Sequence, residues 1–129
     1  MAAFSFNGKW LGKGWRRFYF AACLALIANL FYLGSQPFAV GLFQPPYDKV
    51  AHFAAFGGMA LLLTLASVGR WPLAVLCAVT VVGAMDEWHQ VYLPGRSPDF
   101  GDLATDIAAA AAVVVAAALL RGAASRGIH

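Results

Sequence analysis

Six acidic residues hold most of the chemical capacity of this chain, and their spacing gathers them. Asp48 is followed four positions later by His52. Asp86, Glu87, His89 and Gln90 fall within five consecutive positions. Arg96 precedes Asp99, Asp102 and Asp106, which recur at intervals of three and four. Carboxylates beside imidazoles can move protons, and a guanidinium can grip a phosphate or carboxylate through two parallel hydrogen bonds. The sequence around these groups is apolar, and ionisable groups held in such a medium are costly enough to mark function.

On a helix, Asp48 and His52 share one face, and so do Asp102 and Asp106, with Asp99 extending the latter toward the surface. Asp86 shares a face with His89 and Gln90, while Glu87 pairs with Gln90 at i+3. The neighbours Asp86 and Glu87 point about 100° apart, given 3.6 residues per turn, so both must face protein or a wet cleft. Each group also has a plainer reading. Asp48 and Asp99 suit the positive end of a helix dipole, and Lys49 suits a side chain snorkelling to lipid headgroups. The Asp86–Gln90 group could be a polar network that fixes helix packing, although two acids exceed what packing needs. Arg96 could neutralise the acids rather than grip an anion. His52 stands between a functional and a structural role, and Asp106, more than one turn inside its helix, is not explained by the dipole.

The elements that position these groups are membrane helices. Of the 129 residues, 61% are hydrophobic and only 12% charged, with a mean hydropathy of +0.69; a soluble domain carries roughly 25% charged residues. Four apolar runs, Phe18–Leu33, Val50–Val68, Leu73–Tyr92 and Leu103–Leu120, approach the roughly 20 residues a span requires. The expected fold is all-α: a polytopic membrane protein built as a four-transmembrane-helix bundle over residues 18–120, between a basic, aromatic N-terminal segment (1–17) and a short tail (121–129). A signal peptide is the competing reading of the first run, but that run is long, ends in bulky residues and lacks a clean cleavage site. Pro37, Pro45 and Pro46 break the chain after the first span. Gly69-Arg70-Trp71-Pro72 forms a tight turn with Pro72 opening the third helix, and Ser97 is the expected cap of the fourth. Leu93 marks the expected end of the third helix, which puts Glu87 about 9 Å below it at 1.5 Å per residue. Cys23 and Cys77 lie in apolar runs and read as small core or lipid-facing residues, not a disulfide.

Counting cations orients the bundle. Lys9, Lys13, Arg16, Arg17, Arg70, Arg121 and Arg126 fall on one side and only Lys49 and Arg96 on the other, seven against two. The positive-inside rule then predicts cytoplasmic N- and C-termini, with the acidic cluster facing the periplasm or outer surface. The net charge of +3 reports this topology, and no basic stripe with interleaved reading residues points to nucleic acid.

The segments Asp48-Lys49-Val50-Ala51-His52, Asp86-Glu87-Trp88-His89-Gln90, Pro94-Gly95-Arg96 and Asp102-Leu103-Ala104-Thr105-Asp106 together resemble the signature of the VanZ-like family of small bacterial membrane proteins. The resemblance covers roughly residues 47–120. It implies that Asp48, His52, Glu87, Gln90, Arg96, Asp102 and Asp106 occupy the family's characteristic polar positions. It also implies an association with resistance to the lipoglycopeptide teicoplanin. The chain departs from the family where Ala108 to Ala112 replace glycines after the last acid, which bears on how closely the helices approach.

Three functions follow. In the first, the site binds or acts on an anionic membrane lipid or lipid-linked envelope component, with Arg96, Gln90, Asp48, Asp102 and Asp106 contacting it. In the second, an intramembrane hydrolase or transferase uses Glu87 as general base, with His52, Asp86 and His89 as further proton carriers. No residue is assigned to a metal, although a divalent cation held by Asp and His is a variant of this second function. In the third, the polar network is structural and assembles the bundle or a larger complex, a homo-oligomer included. No nucleotide loop, H-E-x-x-H or G-x-S-x-G occurs, and the spans lack the repeated broken helices of secondary transporters. The first function is the expectation, with no cofactor assigned.

Overall fold

The computed structural model describes residues 8–127, and among them helix is the only regular secondary structure. The four long helices are α1 (Lys13–Gly34), α2 (Tyr47–Ala66), α3 (Pro72–Gln90) and α4 (Phe100–Arg126), with short 3-10 turns at Lys9–Leu11 and Pro37–Ala39. At a rise of 1.5 Å per residue they run about 33, 30, 28 and 40 Å, against a hydrocarbon core of about 30 Å. Three of them, α1, α2 and α4, are long and apolar enough to cross a membrane. With 19 residues, α3 is long enough, but Asp86-Glu87-Trp88-His89-Gln90 at its end lowers its hydropathy.

The helices alternate in direction. α4 packs along both α2 and α3, while α1 lies against α2. Close approach of α2 and α4 follows from small side chains on both. A Cβ at Gly57 would lie 3.7 Å from that of Ala109, an ordinary contact, and Ala109 and Ala110 are fully buried. The alanines of α4 therefore do not hold the helices apart, because α2 supplies the glycine. Phe56, Met59 and Ala60 of α2, Val75 and Val79 of α3, Val114 of α4 and Cys23 of α1 complete the core. Large apolar side chains such as Phe20, Leu24, Leu61, Val81 and Leu119 point outward, as in helices that are hydrophobic all round. Cys23 is buried, Cys77 exposed, and both are free thiols.

The two ends of the bundle differ in charge. At one end, Arg16 Nε donates to the Ala66 carbonyl (2.8 Å) and Arg121 Nη1 to that of Val68 (3.0 Å), placing cations on the last carbonyl of α2 and on the turn that follows it. Here the chain leaves α2 through Val68, whose φ of 55° is left-handed, and the Gly69 amide returns to the Thr64 carbonyl at 2.8 Å. The turn thus begins one residue earlier than its glycine suggests, and Pro72 opens α3 as expected.

The other end carries the acids, and two expected boundaries shift there. α3 stops at Gln90, so Leu93 lies in the following turn and Glu87 is about 4.5 Å from the helix end instead of 9 Å. Asp99, not Ser97, caps α4: its Oδ1 accepts the Gly101 amide at 2.7 Å. The cause is Glu87, whose Oε2 takes the Asp99 amide at 2.6 Å, holding Asp99 extended so that its own carboxylate reaches the first turn. The two loops at this end dock together. Gly95, at φ +73°, leaves space for Val40, whose Cγ1 would lie 3.2 Å from a Cβ there.

Candidate functional site

α2 brings two cationic or titratable groups to this end on one face, Lys49 and His52, three positions apart. Opposite them, the first two turns of α4 present Asp99, Asp102 and Asp106. Lys49 Nζ meets Asp99 Oδ2 at 2.7 Å, Asp48 Oδ2 at 3.3 Å and Asp102 Oδ1 in a closer contact. The sequence reading of Lys49 as a snorkelling side chain is therefore corrected. The N-terminus of α4 places two carboxylates within its reach, Asp48 on its own helix adds a third, and they hold the ammonium at the bundle end. Asp99 lies outside the spans. Its hydrogen bond to Lys49, followed by the one from the Gly101 amide, holds its carboxyl below the usual carboxylate range.

His52 sits one turn deeper. Its Nδ1 is 2.8 Å from Asp106 Oδ1 and its Nε2 is 3.5 Å from Asp102 Oδ2. Its ring lies parallel to that of Phe56, with centroids 5.8 Å apart. Asp106 is 0% exposed, and the space it fills exists because α3 has no side chain at Gly83. A Cβ there would lie 2.9 Å from Asp106 Oδ2. That same Oδ2 is buried and accepts no hydrogen bond among the described residues.

α3 contributes the third group. Asp86 and Glu87 are both buried, as is Gln90, whose Nε2 donates to Asp86 Oδ2 at 3.2 Å. Glu87 thus bonds to the Asp99 amide rather than pairing with Gln90 one turn on, and its Oε1 is buried without a donor. One ligand-type atom from each of His52, Asp86 and Glu87 lies within 4.8 Å of the others; a second such group is Asp48, Asp99 and Asp102. Seven sequence candidates, Asp48, His52, Asp86, Glu87, Gln90, Asp102 and Asp106, therefore converge from three helices.

Two candidates stand apart. His89 packs its ring on Phe31 of α1, with centroids 5.4 Å apart. Arg96 donates through Nη1 to the Ala39 carbonyl at 3.3 Å and forms no ion pair with the acids among the described residues. The cation that neutralises the acids is Lys49 instead. Sequence reasoning also missed Gly83 and Phe56. Lys49 was legible as the i−3 neighbour of His52. Gly83 had no signal, because its importance depends on which residue of α4 lies opposite.

No curated protein and no solved structure matches the chain. The family model described as VanZ/LLP1 matches residues 5–121, which includes all four helices to the last turns of α4 and every polar group described above. With that match across nearly its whole length, the chain belongs to the VanZ/LLP1 family.

Proposed function

We propose that the chain is a four-span protein of the bacterial cytoplasmic membrane, with both termini in the cytoplasm, whose polar end engages the headgroup of an anionic lipid or lipid-linked envelope component at the outer face. The carrying observation is the set of buried acceptors Asp48 Oδ1, Glu87 Oε1 and Asp106 Oδ2, unpartnered among the described residues, in a cluster drawn from three helices. Buried polar atoms are normally paired, so acceptors left open inside a bundle call for a ligand that brings donors or positive charge. Arg96 supports the anionic part of this reading. It is half-buried, and among the described residues only its Nη1 is engaged, by a neutral carbonyl, which leaves the rest of the guanidinium for a phosphate or carboxylate. The seven-to-two bias of Lys and Arg supports the outward orientation, which suits the association with teicoplanin resistance that the resemblance implies.

An enzymatic reading is favoured by one contact, His52 Nδ1 to Asp106 Oδ1 at 2.8 Å. A carboxylate that fixes an imidazole leaves the other ring nitrogen oriented for proton transfer. In that reading His52 and the open Oε1 of Glu87 share the acid–base work, and His89 has no part.

Native mass spectrometry of the chain released from mild detergent tests the headgroup reading. The parent should retain a phosphate-bearing lipid that Arg96→Ala loses. Equal lipid retention in both rejects it. A cytoplasm-dependent reporter fused to the C-terminus should be active, and silence reverses the orientation.

A further inference from the structure

The two carboxylate groups at this end differ in one respect. Asp48, Asp99 and Asp102 already surround a cation, Lys49 Nζ. Asp86 and Glu87 are 6% and 8% exposed, and among the described residues neither forms an ion pair with a Lys or Arg. Two buried carboxylates without a cation are a costly arrangement. We propose that His52, Asp86 and Glu87 form a binding site for a divalent transition-metal ion.

Three features carry this. First, one ligand atom from each residue lies within 4.8 Å of the other two. Ligands about 2.0–2.2 Å from a metal are at most roughly 4.4 Å apart, so small side-chain rotations close the set. Second, the imidazole is prepared for a metal. Asp106 Oδ1 occupies Nδ1 at 2.8 Å and Phe56 lies against the ring, leaving Nε2 as the ligand. A carboxylate on the far nitrogen is the usual support of a metal-bound histidine. Third, Glu87 Oε1 is buried and accepts no hydrogen bond, while Oε2 is anchored to the Asp99 amide, so the side chain is fixed with one oxygen open.

The donor set of one imidazole nitrogen and carboxylate oxygens suits Zn²⁺ or Mn²⁺ better than Ca²⁺, which takes oxygen alone. Asp102 Oδ2, 3.5 Å from His52 Nε2, is placed to join as a further ligand. The bound ion gives the acidic cluster a positive centre to which an anionic headgroup can attach. That role rests on the headgroup reading above; the geometry does not.

The test uses the full chain in detergent, stripped with a chelator, reloaded separately with Zn²⁺ and Mn²⁺, and passed over a desalting column before elemental analysis. About one ion per chain should remain in the parent and in Asp48→Asn, which changes only the group that holds Lys49. His52→Gln and Glu87→Gln should abolish retention. Asp106→Asn, which acts through His52, should weaken it about 10–100-fold. Equal retention in all of these, or equal loss in Asp48→Asn and Glu87→Gln, overturns the site. Should the ligand variants fail to fold, Co²⁺ in the parent decides. A ligand-field spectrum of low symmetry supports the site, and that of the hydrated ion rejects it. Lipid retention is read in parallel. Lipid without metal ends this inference and spares the headgroup reading, metal without lipid does the reverse, and neither ends both.

Discussion

A methyl group added at Gly83 would sit 2.9 Å from Asp106 Oδ2, 3.2 Å from Leu103 Cδ1 and 3.4 Å from Asp106 Cβ. The carboxylate cannot simply turn aside, because its other oxygen holds His52 at 2.8 Å and its residue is wholly buried. Overpacking of this kind costs about 1–3 kcal/mol, and replacing a helical glycine by alanine returns about 0.5–1 kcal/mol. Gly83→Ala should therefore destabilise the bundle by about 1 kcal/mol, and by up to about 2.5 kcal/mol where the site cannot relax. If Asp106 yields instead, the His52 bond is lost at a similar cost, since hydrogen bonds to charged groups are worth about 1.5–3 kcal/mol. Gly57→Ala is the matched control. It adds the same methyl on α2, where the nearest atom is Ala109 Cβ at 3.7 Å, so it should be neutral or more stable by up to about 1 kcal/mol. Reversible unfolding in mixed detergent micelles measures both. Equal stability of the two variants would refute the claim that Gly83 exists to admit the Asp106 carboxylate.

Other changes probe the ends of the helices. Val68→Gly should stabilise by about 1 kcal/mol, because a β-branched residue at φ 55° is replaced by the residue suited to that conformation; the same unfolding assay reads it. Asp99 has its carboxyl lowered by Lys49 and the Gly101 amide, so its contribution is complete above about pH 4, the unfolded value, and is lost as pH falls through the lower folded value. Asp99→Asn should thus flatten the acid limb of a stability-versus-pH curve, and an unchanged limb contradicts the assignment. Lys49→Met should destabilise by about 1–3 kcal/mol at neutral pH, a range set between exposed and buried ion pairs because the lysine is partly solvated. That deficit should shrink in acid as Asp99 protonates.

Helical periodicity and the polar clusters made much of this molecule legible from sequence. The four apolar runs became helices, Pro72 opened α3, and the i, i+4 spacing placed Asp102 and Asp106 on the face that meets His52. What sequence could not supply were facts decided between helices. Ser97 is a good cap, but the cap passed to Asp99 because Glu87, twelve residues earlier, claims the Asp99 amide. Lys49 looked like a lipid-facing side chain until α4 placed carboxylates around it. The alanines of α4 left the closeness of helix packing open until Gly57 proved to lie opposite. Arg96 read either as the counter-ion of the acids or as an anion grip, and docking of the two loops takes its Nη1 to the Ala39 carbonyl. In each case local chemistry was read correctly and the partner came from another helix.

The same distinction separates packing from function at the polar end. Between α2 and α4 the charges are matched, with Lys49 against Asp99 and Asp102 and His52 against Asp106. That matching alone registers two parallel helices, and a structural network would need nothing more. α3 could complete such a bundle with Gln90 and apolar residues. Instead it adds Asp86 and Glu87, both buried, beside a histidine already paired with Asp106, and leaves Glu87 Oε1 without a donor. A carboxylate that is half-satisfied weakens a buried network rather than strengthening it. The buried, cation-free charge of the α3 acids and the open Oε1 of Glu87 are therefore what the fold does not explain, and a ligand of positive charge or donor character is what would explain them.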